Sequence, residues 1–130
     1  MPESSPFKTW NGVEPFEFVD GVSLHAIGGD QVLLCRVRYE PGKRVSRHSH
    51  EDTEQLMVVI DGSVTMTIGE ETRQLGPGDV VCVNRGIEHE LYSAEGVTFF
   101  EALAPVPLDH VPDRRRDLVL AEGGATHVAR

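Results

Sequence analysis

The sequence predicts an all-β protein, and three observations carry that expectation. Thirteen glycines and eight prolines punctuate the chain, and the segments between them are short and rich in Val, Leu, Ile and Thr. The stretch VTMTIGEETRQL alternates apolar Val64, Met66 and Ile68 with Thr65 and Thr67, then turns at GEE as a β-hairpin does. No segment in the body of the chain keeps helical periodicity for three turns. Many short strands closely separated by turns point to an antiparallel sandwich or barrel.

Taken in order, the apolar runs give strands at 16–19, 22–27, 31–39, 56–60, 63–68, 71–75, 79–83, 89–92 and 97–103. The turns between them are DG at 20–21, GGD at 28–30, PG at 41–42, DG at 61–62, GEE at 69–71, GPGD at 76–79 and EG at 95–96. After Pro105 the character changes to a proline-rich and then polar, Gly-rich tail. This part is expected to wrap the barrel, with one short helix at 113–120 and a mobile end. At 130 residues the chain is a single domain with room for a core that needs no disulfide. Within it, 1–29 reads as N-terminal strands packing on the barrel or a second subunit, 30–105 as the barrel, and 106–130 as the wrap and tail. Trp10, Phe16 and Phe18 supply the packing surface of the first part.

Apolar content of 39% and charged content of 25% are those of an ordinary soluble globular protein. A net charge of −9 argues against nucleic acid or an anionic membrane as the main partner. The one basic run, Arg114 to Arg116, is flanked by Asp113 and Asp117 and reads equally well as a solvated turn. No run is long enough to span a bilayer. Cys35 and Cys82 lie in apolar runs and not in a CxxC pair, so both are expected to be buried, in a cytoplasmic protein.

The chemistry concentrates in the histidines. His48 and His50 are one residue apart, so in a strand they share a face. That pattern fits metal ligation, and it fits two imidazoles that are simply exposed together. The flanking spacing is more specific. Gly42 precedes His48 by six positions, Gln55 follows His50 by five, and Gly62 follows Gln55 by seven. Farther on, Gly78, Gly86 and His89 follow at intervals of eight and three.

These two glycine-framed motifs resemble the two-part signature of the cupin superfamily, over about Asp30 to Pro105. The second motif departs at Asn84, where the family has proline, and at Ser93, where it has asparagine. The resemblance implies a conical jelly-roll barrel (a double-stranded β-helix), a homodimer, and a metal held by His48, His50, His89 and one further residue. Barrel strands turn alternate side chains inward, so His48 and His50 can meet His89 from a different strand. Three neutral imidazoles and an oxygen donor suit a divalent transition metal such as Zn, Mn, Ni or Fe.

The further ligand is either Glu54 or Gln55, because neighbours in a strand face opposite ways. Either fits the family gap after His50, but only Gln55 leaves six residues before Gly62. Gln55 is therefore the expected ligand and Glu54 the fallback. With Gln55 inward, Met57 and Val59 also face in, and Leu56, Val58 and Ile60 face out.

The EQ pair also resembles one cupin branch, the small proteins of pectin and alginate degradation that linearise unsaturated uronates. In that branch a glutamine completes a three-histidine site, and an acidic residue stands shortly before a proline near the end of a late strand. FFEALAP places Glu101 and Pro105 there, while Pro107 occupies the position of that branch's arginine. Arg114, Arg115 or Arg116 would have to substitute for it. Arg36 and Arg38 read as exposed, Tyr39 and Tyr92 as mouth-lining or packing residues, and His110 and His127 as surface or tail residues.

The expected function is a metal-dependent enzyme acting by proton transfer on a small oxygen-rich substrate, as isomerase, cyclase or lyase, with Glu101 as acid/base. An Fe(II) dioxygenase using the same histidines and a non-catalytic binding cupin are the alternatives.

Overall fold

A computed structural model describes residues 5–106 and the strand 118–120. Eleven strands are present and no helix occurs among the described residues: β1 Phe16–Val19, β2 Val22–Gly28, β3 Leu33–Tyr39, β4 Lys43–His50, β5 Glu54–Gly62, β6 Val64–Ile68, β7 Glu71–Leu75, β8 Val80–Val83, β9 His89–Ser93, β10 Val97–Ala104 and β11 Leu118–Leu120. They form two antiparallel sheets, ordered β1-β2-β3-β10-β5-β8 and β11-β4-β9-β6-β7. Their inner faces enclose one core, in which Leu24, Cys35, Val37, Met57, Val59 and Phe99 from the first sheet meet Val45, Val64, Met66 and Leu91 from the second. The all-β expectation is met.

Nine of these strands match the apolar runs to within a few residues. β4 does not, because its sequence KRVSRHSH lacks an apolar alternation. The structure supplies the reason. In the β4–β9 ladder Val45 opposes Leu91 while His48 opposes His89, so β4 carries one extra residue between them. This bulge shifts the phase of the strand. Val45 faces the core on one side of it, and His48 and His50 do so on the other. Without the bulge, Arg47 and Ser49 would take the inward positions.

Two expectations need correction. The helix at 113–120 is replaced over Leu118–Leu120 by a strand, which pairs with Ser49 and its neighbours along the free edge of β4; an edge offering unpaired N–H and C=O groups overrides weak helical periodicity. Residues 113–117, like Pro107, His110, Arg114 to Arg116 and His127, lie outside the described residues. The second correction concerns Cys82. Cys35 is buried as expected, but Cys82 sits on the outward face of edge strand β8 and is exposed. An apolar run marks a strand but not which of its faces meets water.

The N-terminal aromatics divide between the two sides of the first sheet. Phe18 enters the core, whereas Trp10 packs outside, stacked on Phe100 at 6.2 Å with the Arg36 guanidinium 5.0 Å from its ring. Arg36 thus has a cation–π partner, and Arg38 is exposed as expected.

The motif glycines earn their places by backbone shape. Gly42, Gly62, Gly78 and Gly86 all have φ between +75° and +93°, a region that costs other residues about 1–3 kcal/mol. Gly62 carries a second constraint: a Cβ there would run into the Gly96 carbonyl oxygen and lie 2.9 Å from the Val97 Cα. At Gly42 a Cβ meets nothing within 4 Å. Gly42→Ala is therefore expected to cost about 1–3 kcal/mol, from strain alone. Gly62→Ala adds backbone overpacking of about 1–3 kcal/mol. Chemical denaturation of both variants checks the order, and equal losses would contradict it.

Candidate metal centre

The β4 bulge brings His48 and His50 to face His89, which β9 supplies from the neighbouring position in the same sheet. The three rings stand 4.2–5.4 Å apart, centroid to centroid. All three are buried. One nitrogen from each lies within 4.8 Å of the others, a set that can hold a metal ion. In a tetrahedral site two Zn–N bonds place their nitrogens about 3.3 Å apart, so the three rings would draw inward around an ion.

The hydrogen bonding decides which nitrogens face inward. His48 Nδ1 lies 2.6 Å from the Ser46 carbonyl oxygen and His89 Nδ1 lies 3.0 Å from that of Ile87. Each must carry a proton to donate there, and a ring that is neutral then keeps its lone pair on Nε2. His89 Nε2 is buried and meets no donor. Such atoms are costly in a dry interior unless something with positive charge meets them. Burial holds His89 well below the usual imidazole range, at about 4, helped by His50 and opposed by the bond to Ile87. It is therefore neutral at pH 7, as a metal ligand must be.

That shift has a consequence for the metal-free protein. The unfolded chain binds a proton at this histidine below about 6.5, and the folded protein does not until about 4. Stability is therefore complete above the unfolded value and is lost as pH falls through this window, by up to about 3 kcal/mol. Thermal melts of chelator-treated protein at pH 7.5 and pH 5 check it. The drop should shrink markedly in His89→Gln, and an equal drop in both proteins would contradict the assignment.

From the other sheet, β5 and β10 contribute Gln55 and Glu101. Gln55 is 3% exposed and Glu101 is 7% exposed, and Gln55 Nε2 donates to Glu101 Oε1 at 2.8 Å. Both line the same cavity as the three histidines, together with Tyr39, Phe18 and Phe99. Glu54 points away: it is exposed, and its carboxylate accepts from the Cys82 thiol across the outer surface at 3.6 Å. The inward and outward alternation of β5 is the one expected for an inward Gln55, with Met57 and Val59 buried and Leu56 and Ile60 exposed.

Tyr39 belongs to this cavity, where burial and the Glu101 charge push its hydroxyl well above the ordinary tyrosine value. Tyr92 does not; it lies beneath the Arg44 guanidinium at 4.7 Å. The cavity is small, about 30 Å³, enough for an ion or about one water. A larger groove of about 500 Å³ runs between β7 and β8, but it contains none of the histidines, so size does not locate the chemistry here.

The loop leading to His89 tolerates both departures from the motif. Gly86 N–H donates to the His50 carbonyl at 2.8 Å and Ile87 N–H to the Asn84 carbonyl at 3.3 Å, so the turn closes without proline. Ser93 Oγ donates to the Ser63 carbonyl at 2.6 Å and accepts from Gly96 N–H at 2.8 Å. A short hydroxyl thus ties β9 to the start of β6. Arg47, turned outward by the bulge, donates to Glu88 at 2.8 Å and to the Gly69 carbonyl at 2.9 Å, which steadies the approach to His89.

Residues 35–101 match the cupin-domain family. The chain belongs to that family. No curated protein matches its sequence. Among solved structures, an RmlC-like cupin from Shewanella frigidimarina superimposes with a TM-score of 0.76 at 18% identity, over 85% of this chain and 100% of that one. KdgF from Halomonas sp. gives 0.76 at 18% identity, over 83% and 100%. A cupin sugar phosphate isomerase from Silicibacter pomeroyi gives 0.67 at 21% identity, over 78% and 77%. At these identities the likeness establishes the fold, the jelly-roll barrel that the motifs led one to expect. No helix of the described residues is long and apolar enough to cross a membrane.

Proposed function

We propose that this cupin is a metal-dependent enzyme that moves a proton on a small sugar acid or keto acid, as an isomerase, cyclase or lyase. The observation that carries this reading is a buried carboxylate, Glu101, in one cavity with three buried histidines. His48, His50, His89 and Gln55 would hold the ion. When bound, it polarises a carbonyl and offsets negative charge developing on a substrate oxygen. All four ligands are uncharged, so the positive charge of the ion is not cancelled by its immediate neighbours.

Glu101 is the acid/base group of the cavity, since none of the four ligands carries a carboxylate. The cavity volume admits the ion alone, so the substrate would meet it from the mouth of the cavity. The EQ pair and the Glu101–Pro105 spacing favour an unsaturated uronate as substrate. The superposition on a sugar phosphate isomerase is compatible with isomerisation chemistry.

The test is a screen of unsaturated uronates and small keto acids, with Zn, Mn, Ni or Fe supplied in turn under anaerobic conditions. Metal-dependent turnover supports the reading. Oxygen consumption that needs iron and stops with zinc would replace it with a dioxygenase. Ligand binding without turnover would replace it with a binding module.

We also infer a homodimer through the outward face of the first sheet, where Leu56 is 50% and Val80 62% exposed. Light scattering that returns a monomer mass would contradict it.

A further inference from the structure

We propose that Glu101 is a positioning residue for the metal centre: its hydrogen bond turns the Gln55 carboxamide so that the oxygen end faces the histidines. This rests on reading the histidine cluster as a metal site, and goes beyond the acid/base role assigned to the same carboxylate.

A carboxamide has two ends of nearly equal shape and opposite chemistry. The carbonyl oxygen can ligate a cation, whereas the NH2 group is a double donor and cannot. The torsion that exchanges them is broad and two-fold, so the side chain itself does not choose. Its surroundings do. Gln55 Nε2 lies 2.8 Å from Glu101 Oε1 and 3.9 Å from Met57 Sδ. An ionised carboxylate and a thioether offer only acceptors, so each takes one N–H of the amide. Both hydrogens are thereby engaged along β5 and toward β10, and the oxygen is the end left for the histidine side of the cavity. The flipped amide would set a carbonyl oxygen against a carboxylate oxygen at the same 2.8 Å, a repulsive contact in a buried site.

The sheet register makes this pairing a property of the fold. Leu103 lies directly opposite Gln55 on β10, and Glu101 lies opposite Met57. Gln55 and Glu101 are therefore diagonal neighbours on one inward face, within reach of long side chains. Met57, the second acceptor, follows two residues after Gln55 on that face.

Without the acceptor, the amide is free to present its NH2 end, and metal affinity falls. Losing an outer partner of a metal ligand typically costs about 10–100-fold in affinity. Charge provides a rival explanation, because removing a carboxylate near a cation also weakens binding. Two neutral substitutions separate the two: Glu101→Gln keeps an acceptor oxygen, and Glu101→Leu does not.

The experiment measures Zn(II) and Co(II) affinity of the full chain by competition with a chromophoric chelator, for the wild type and both variants, each also in a Gln55→Ala background. Glu101→Leu is expected to bind at least about tenfold more weakly than Glu101→Gln. That difference should disappear once Gln55 is alanine. The cobalt absorption bands of Glu101→Leu should move toward those of Gln55→Ala. Equal losses in the two Glu101 variants, or a difference that persists without Gln55, would overturn the proposal. Should Glu101→Leu fail to fold, Glu101→Met supplies the same comparison with a flexible side chain.

No turnover is needed for this readout, so a failed substrate screen leaves it intact. Conversely, a wild type that binds metal while the Glu101 variants do not differ sinks the positioning role alone.

Discussion

His89→Ala is expected to abolish tight metal binding, with a loss well beyond the 10–100-fold that removal of an outer partner costs. Of the three histidines that could hold a metal, His89 is the one most fully prepared for it. It is neutral, its Nδ1–H is committed to the Ile87 carbonyl, and its Nε2 is buried without a donor. His48 and His50 come from one strand, and without His89 the second strand of that sheet supplies no ligand. In the absence of metal the substitution has two opposing effects. It removes an unsatisfied buried nitrogen, which helps, and it opens a small void, which costs stability. The apo protein should therefore still fold. Metal at 100 times its Kd stabilises the wild type by about 2.7 kcal/mol, and His89→Ala should gain almost none of that. Thermal midpoints with zinc and with chelator report both quantities. An equal metal-induced shift in the variant would remove His89 from the site.

Glu101→Gln is expected to lower turnover on the proton-transfer substrate by about 10²–10⁴-fold, the range a positioned general acid or base contributes. The substitution keeps the size of the side chain and an oxygen acceptor for Gln55, and removes the group that can take and return a proton. Steady-state kinetics at saturating metal isolates the effect from metal loss. Unchanged turnover would show that another group moves the proton, and would end the acid/base assignment.

How far the sequence could be read depended on which physical signal each element carries. The β6–β7 hairpin was legible because its alternation of Val64, Met66 and Ile68 with threonines matches a half-buried strand. Gln55 was separated from Glu54 by a ruler ending at Gly62, and that ruler has a physical cause. Gly62 adopts a positive φ against the Gly96–Val97 backbone, so its place along β5 is fixed, and with it the phase of the strand.

β4 was not among the apolar runs, since its inward residues are histidines and its phase breaks at a bulge no composition reveals. The motif spacing from Gly42 to His48 spans that bulge: an inward phase carried from Val45 at strict alternation would reach Arg47 instead. Cys82 was misplaced because apolar runs in β5 and β8 have two apolar faces, one of which is outside. The Gln55–Glu101 hydrogen bond had no sequence signal, as it depends on the β5–β10 register between strands far apart in the chain.

The most direct test of the account is the metal content of protein purified without a metal-affinity column, measured by elemental analysis alongside His48→Ala and Gln55→Ala. A single divalent transition metal per chain is expected in the wild type, absent in His48→Ala and more weakly held in Gln55→Ala. A wild type that neither carries nor takes up a stoichiometric metal, or a His48→Ala variant that retains it fully, would contradict the metal centre itself.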